Sequence, residues 1–117
     1  MAETTPELMP EPEYRALVQK VYDRIEAAFD AVDPDQAECE GGLGQLTITL
    51  PGGARWILSR QPPVRQIWLA VASIGRAYHF SYDTAGDRWV DDKGEGLELL
   101  SHLARLLREE AGLELSF

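Results

Sequence analysis

The sequence predicts an α+β fold: a two-layer sandwich in which two helices pack on one face of an antiparallel β-sheet. Three observations carry that expectation. Apolar residues recur every three to four positions near both ends of the chain and every second position between them. The alternating stretches are short and joined by Gly, Pro and Asp turns, the pattern of an antiparallel meander. At 117 residues the chain has one modest core to fill, so two amphipathic helices are most economically accommodated on a single sheet face.

Each element follows in order. Residues 1–12 are rich in Pro and Glu with little to bury, and are expected to be a disordered tail before a folded domain at 13–117. From Glu13, Tyr14, Leu17, Val18, Val21, Ile25, Ala28, Phe29 and Val32 form one apolar stripe, and Pro34 ends the helix. A short strand at 37–40 leads to a turn at GGLG (41–44). Strands follow at 45–50, 54–60, 66–72, 77–82 and 88–90, with PGG (51–53), a Pro-Pro corner and DTAGD (83–87) among their connections. A second helix runs through Ala111 with Gly112 as its C-cap. Its expected buried face is Leu97, Leu100, Leu103, Ala104, Leu107 and Ala111, with Glu98, His102, Arg105 and Glu109 opposite, His102 paired to Glu98.

The formal charge is −9, and residues 1–40 hold eleven acids against three bases. A surface of that kind repels nucleic-acid phosphates and anionic membranes, and attracts cations or a basic partner. No apolar run approaches the roughly 20 residues that span a bilayer, and the acidic start MAETTPELMPEPE lacks the features of a secretory signal, so the expected location is cytoplasmic. The single cysteine, Cys39, can form neither an internal disulfide nor a thiolate cluster.

Two constellations stand out. Asp23, Glu26, Asp30 and Asp33 fall in a narrow arc of the first helix, Asp35 lies in the link, and Glu38 and Glu40 share one face of the first strand. These carboxylates line one edge without a calcium-loop spacing or a histidine. The second constellation is QIWLAV (66–71), where Ile67, Leu69 and Val71 face the core and Gln66, Trp68 and Ala70 face outward, leaving a tryptophan on the open face of the sheet. Trp56 and Trp89 are expected to be buried. His79 shares the outer face with Ser81. Catalytic motifs are lacking: there is no phosphate loop, HExxH, GxSxG or CxxC, and an enzyme is not expected.

RQPPVRQIWLAV (60–71), YHF (78–80), Trp89, the Gly-Glu-Gly before a Leu-rich helix and the ECE strand (38–40) together resemble the frataxin family in its bacterial form, across residues 13–117. The resemblance implies a helix–sheet–helix sandwich that binds Fe²⁺ or Fe³⁺ weakly through an acidic ridge, here Glu26, Asp30, Asp33, Asp35, Glu38 and Glu40, with Asp23 as an added acid. It implies docking on the cysteine desulfurase and the scaffold of iron–sulfur cluster assembly, with Trp68 and Gln66 on the partner surface and Arg76 substituting for a basic residue where this chain has Tyr78. It also implies that LELSF (113–117) fills the groove between the helices. Some features depart from the family: Ala27 and Ala31 interrupt the paired acids, and Arg15 stands where some relatives carry a histidine. Two readings follow, an iron-linked regulator of cluster assembly and a metal-independent adaptor whose ridge binds only a basic partner. A monomer is the simplest expectation, with metal-driven oligomers left open.

Overall fold

The computed structural model describes residues 8–117. Most of the expected tail, residues 1–7, lies outside the described residues. Helix α1 spans Glu11–Phe29, opening two residues earlier than expected because Pro10 precedes it and the N–H of Tyr14 bonds to Pro10 O at 3.0 Å. Six strands follow: β1 (Glu38–Gly42), β2 (Gln45–Thr49), β3 (Arg55–Gln61), β4 (Gln66–Val71), β5 (Arg76–Asp83) and β6 (Arg88–Asp91). Helix α2 (Leu99–Ala111) completes the fold. The strands lie side by side in chain order, every neighbouring pair antiparallel, with β1 and β6 at the edges.

Alternation decides which face each strand buries. Leu46, Ile48, Trp56, Leu58, Ile67, Leu69, Val71, Tyr78, Phe80 and Trp89 all point to the helix layer and are buried, so Trp56 and Trp89 are core residues. Against them α1 sets Tyr14, Val18, Val21, Tyr22, Ile25 and Phe29. Tyr22 belongs to this face although its hydroxyl made it easy to pass over; the hydroxyl donates to Gly44 O at 3.0 Å. The Tyr14 hydroxyl donates to Gln66 O at 2.6 Å and accepts from Gln61 N at 2.9 Å, fastening the start of α1 to the β3–β4 corner.

The β1–β2 hairpin is tighter than the sequence suggests. Gly41 and Gly42 continue β1, and only Leu43 and Gly44 turn the chain, both at positive φ (53° and 79°), a geometry whose twist matches the flanking strands. The positive φ of Gly44 would strain any side chain there, and a Cβ, 2.6 Å from Arg60 Nε, would also push the Arg60 side chain aside.

Helix α2 is turned relative to its expected phase. Its buried residues are Leu99, His102, Leu103, Leu106 and Leu107. The Asp91 carboxylate gathers the N–H groups of Lys93, Glu95 and Leu97 and holds that stretch out of the helix. Glu98 then caps α2 with its own carboxylate, accepting from Leu100 N and Ser101 N. The expected Glu98–His102 ion pair therefore does not form: Glu98 is occupied at the cap, and His102 is buried edge-on to Tyr78, with neither ring nitrogen hydrogen-bonded among the described residues. Gly112 ends the helix at φ 64°, and Leu113 N reaches back to Leu107 O. Residues 113–117 run between the helices, Leu113 buried and Leu115 and Phe117 packed on the core, but they leave part of the groove open. No helix among the described residues is long and apolar enough to cross a membrane.

Candidate functional site: an acidic edge and an open sheet face

With both helices on one face, no layer covers the other face of the sheet among the described residues. Register brings Gln45, Ser59, Trp68 and His79 into one row across β2, β3, β4 and β5. The Trp68 indole stacks on the His79 imidazole, with centroids 4.2 Å apart and planes 16° from parallel. Its Nε1 donates to Gln66 Oε1 at 2.8 Å. Gln66 in turn donates through Nε2 to Ser81 Oγ at 3.1 Å and Asp92 Oδ2 at 3.0 Å, and the Asp92 carboxylate stands 3.7 Å from His79 Nδ1. Trp68 is thus half-buried but fixed in orientation, with stacking on one side and a hydrogen bond at its tip. A ring held in this way costs little to order on contact with a partner, which is what an interface anchor needs. His79 is the functional candidate that motif reasoning passed over; its signal was the shared parity that sets it directly opposite Trp68.

The same register places the strand acids. Glu38 pairs with Thr49 and Glu40 with Thr47, and Thr47 lies in a row with Ile57 and Ala70. Both glutamates are therefore on the open face with Trp68, with Glu40 three strand spacings, roughly 14 Å, from Ala70. The helix acids lie around the corner. Glu26 is half-buried against β1, its Oε1 3.1 Å from where a Gly41 Cβ would be. Asp23 and Asp30 are exposed along α1, Asp23 accepting from Gln19 Nε2 at 2.7 Å. In the link, Asp33 Oδ1 accepts from Asp35 N at 2.9 Å. The seven carboxylates thus wrap one edge and reach both of its sides.

Chemically these are hard oxygen donors, suited to hard or borderline divalent cations in general. Among the described residues no three His, Cys, Asp or Glu side chains gather closely enough to hold a metal ion. The donor set fits a hydrated cation held loosely by one or two carboxylates, and does not form a closed coordination sphere. Cys39 adds no thiolate: it faces the helix layer, and burial, followed by the negative charges of Glu26 and Glu40, pushes its thiol up to about 12.

Arg76 does not join the Trp68 surface. It pairs across the sheet with Val71, whose side chain is in the core, and its guanidinium lies 5.1 Å from the Tyr78 ring centroid on the helix side. Of the three residues expected on a partner surface, Gln66 and Trp68 therefore share the open face with His79, and Arg76 lies on the other side of the sheet.

An α+β sandwich with a covered face, an open aromatic face and an acidic edge is the class that these features define. The chain belongs to the frataxin family, whose Frataxin-like domain matches residues 7–113. It is 42% identical over 108 residues to the iron-sulfur cluster assembly protein CyaY of Pseudomonas syringae pathovar tomato, covering 92% of this chain and 94% of that protein. Among solved structures, the frataxin of Psychromonas ingrahamii superposes with a TM-score of 0.81 at 23% identity, covering 92% of this chain and 97% of that one. A trimeric yeast frataxin from Saccharomyces cerevisiae, complexed with ferrous iron, superposes with a TM-score of 0.65 at 24% identity over 93% and 94% of the two chains. These two structures share the fold.

Proposed function

We propose that this protein is a non-catalytic regulator of iron–sulfur cluster assembly, acting in the cytoplasm as a monomer. In this reading it docks on the cysteine desulfurase and scaffold, and it holds Fe²⁺ weakly along Asp23, Glu26, Asp30, Asp33, Asp35, Glu38 and Glu40. The observation that carries the proposal is the continuity of the acidic edge with the face bearing the Trp68–His79 stack. Opposite charge at the edge would draw in a basic partner, and the fixed ring would anchor it. The name carried by the relative from Pseudomonas syringae and the ferrous complex of the yeast frataxin support the same direction.

A second reading, the metal-independent adaptor, is favoured by the lack of a three-donor cluster among the described residues and by Ala27 and Ala31 between the helix acids. An anaerobic Fe²⁺ titration of isotope-labelled protein separates the two. The regulator reading expects selective paramagnetic broadening around Asp23, Glu26, Asp30, Asp33, Glu38 and Glu40. Uniform or absent broadening at millimolar iron would leave the adaptor reading.

A further inference from the structure

Between α1 and α2 the helix layer is incomplete. A cleft of about 510 Å³ remains, floored by Leu17, Trp89, Ala104 and Phe117. That volume lies within the roughly 300–1,000 Å³ range typical of small-molecule sites. Its charge runs against the rest of the molecule: in a chain of net −9, the cleft is bordered by Lys20, Arg24 and Arg88. The two acids beside it are already engaged, Asp87 by the Tyr82 hydroxyl and Glu98 by the backbone N–H groups it caps. Arg24 donates to Phe117 O at 2.8 Å and Arg88 lies 3.5 Å from Asp83, while Lys20 forms no ion pair or hydrogen bond among the described residues.

An apolar floor with an unspent cation at its rim matches one ligand chemistry. We propose that this cleft binds a monoanionic amphiphile, a medium-chain fatty acid, with the alkyl chain against Leu17, Trp89, Ala104 and Phe117 and the carboxylate at Lys20. A neutral or cationic amphiphile would gain the same apolar burial without the charge interaction. The site is on the opposite side of the sheet from the Trp68 face, so occupancy of one does not require the other. The inference stands apart from the role in cluster assembly and does not depend on it.

Titration of the full chain with decanoate below its micelle concentration tests this, read by amide and methyl NMR shifts and repeated with decyltrimethylammonium. The expected result is saturable shifts at Leu17, Trp89, Ala104 and Phe117 with decanoate, and weaker binding of the cation. Lys20→Gln, an exposed change, should weaken decanoate about two- to fivefold. Ala104→Trp should fill the cleft and abolish the shifts while the circular dichroism spectrum is retained. Equal affinity for the two amphiphiles, an unaltered affinity in Lys20→Gln, or no saturable shift in the wild-type chain would each overturn the assignment.

Discussion

Trp68 and Leu69 are neighbours in β4 and look out of opposite faces of one sheet. Leu69 has no exposed surface and lies under the helix layer; Trp68 stands on the uncovered side, held by His79 and Gln66. The inner face is filled by side chains whose fit determines whether the protein folds. The outer face carries one large ring, Trp68, and fastens it with stacking and hydrogen bonds that leave it accessible. The difference teaches that size and hydrophobicity do not assign a role. The face does, and adjacent residues can be separated cleanly by what their loss disturbs.

The largest expected effect is on the inner face. Leu69→Ala should cost about 3 kcal/mol in chemical denaturation, because a fully buried side chain is replaced by a cavity. Trp68→Ala should cost only about 1 kcal/mol, the scale of an aromatic pair, yet abolish most desulfurase binding. Equal destabilisation by the two would erase the distinction between the faces. Removing residues 113–117 comes next. It strips Leu113 from the core together with the Arg24 contact to Phe117 O, and should lower stability by about 2 kcal/mol. An unchanged unfolding midpoint would mean the segment only rests on the surface.

His102 sharpens the comparison from the covered side, as a polar group where the face should be apolar. Burial, then the charges of Arg105 and Arg76, holds its pKa below the ordinary imidazole value of 6.5; Tyr78 meets it edge-on, and Glu95 and Glu109 act weakly in the opposite sense. The unfolded chain therefore takes up this proton more readily than the folded one. The stability linked to His102 is complete above about pH 6.5 and falls as pH drops toward the folded pKa. His102→Leu should stabilise the protein by about 1 kcal/mol at neutral pH and flatten that acid-side decline, measured as melting temperature against pH. A steeper decline in the variant would contradict the buried, unpartnered geometry. The smallest stability effect belongs to the acidic edge: Glu38→Gln with Glu40→Gln should change stability by less than about 0.5 kcal/mol, while reducing the salt dependence of partner binding.

Much of this was legible beforehand because period two is unforgiving. Once Ile67, Leu69 and Val71 are inward, Trp68 is outward, and the six strands follow from similar parity, as the two helices follow from spacings of three and four. Parity also places Arg76 with Tyr78 and Phe80 on the covered side, so its separation from Trp68 was legible in the sequence itself. Helix α2 was less legible. Leu97, Leu99, Leu100, Leu103, Leu106 and Leu107 spread around so much of the helix that two phases satisfy the pattern. The choice fell to Asp91, a turn aspartate whose three backbone contacts fix where the helix begins. The split of the acids between the open face and the helix flank depends on strand register, which composition does not carry.

In the proposed role the open face and the acidic edge act as one docking surface. Titrating isotope-labelled protein with the cysteine desulfurase at low salt tests it most directly, read by loss of backbone and indole signals. The account expects losses at Glu38, Glu40, Gln66, His79 and the Trp68 indole, with α2 unaffected. Losses confined to α2 and the cleft beside it, with the Trp68 indole unchanged, would contradict it.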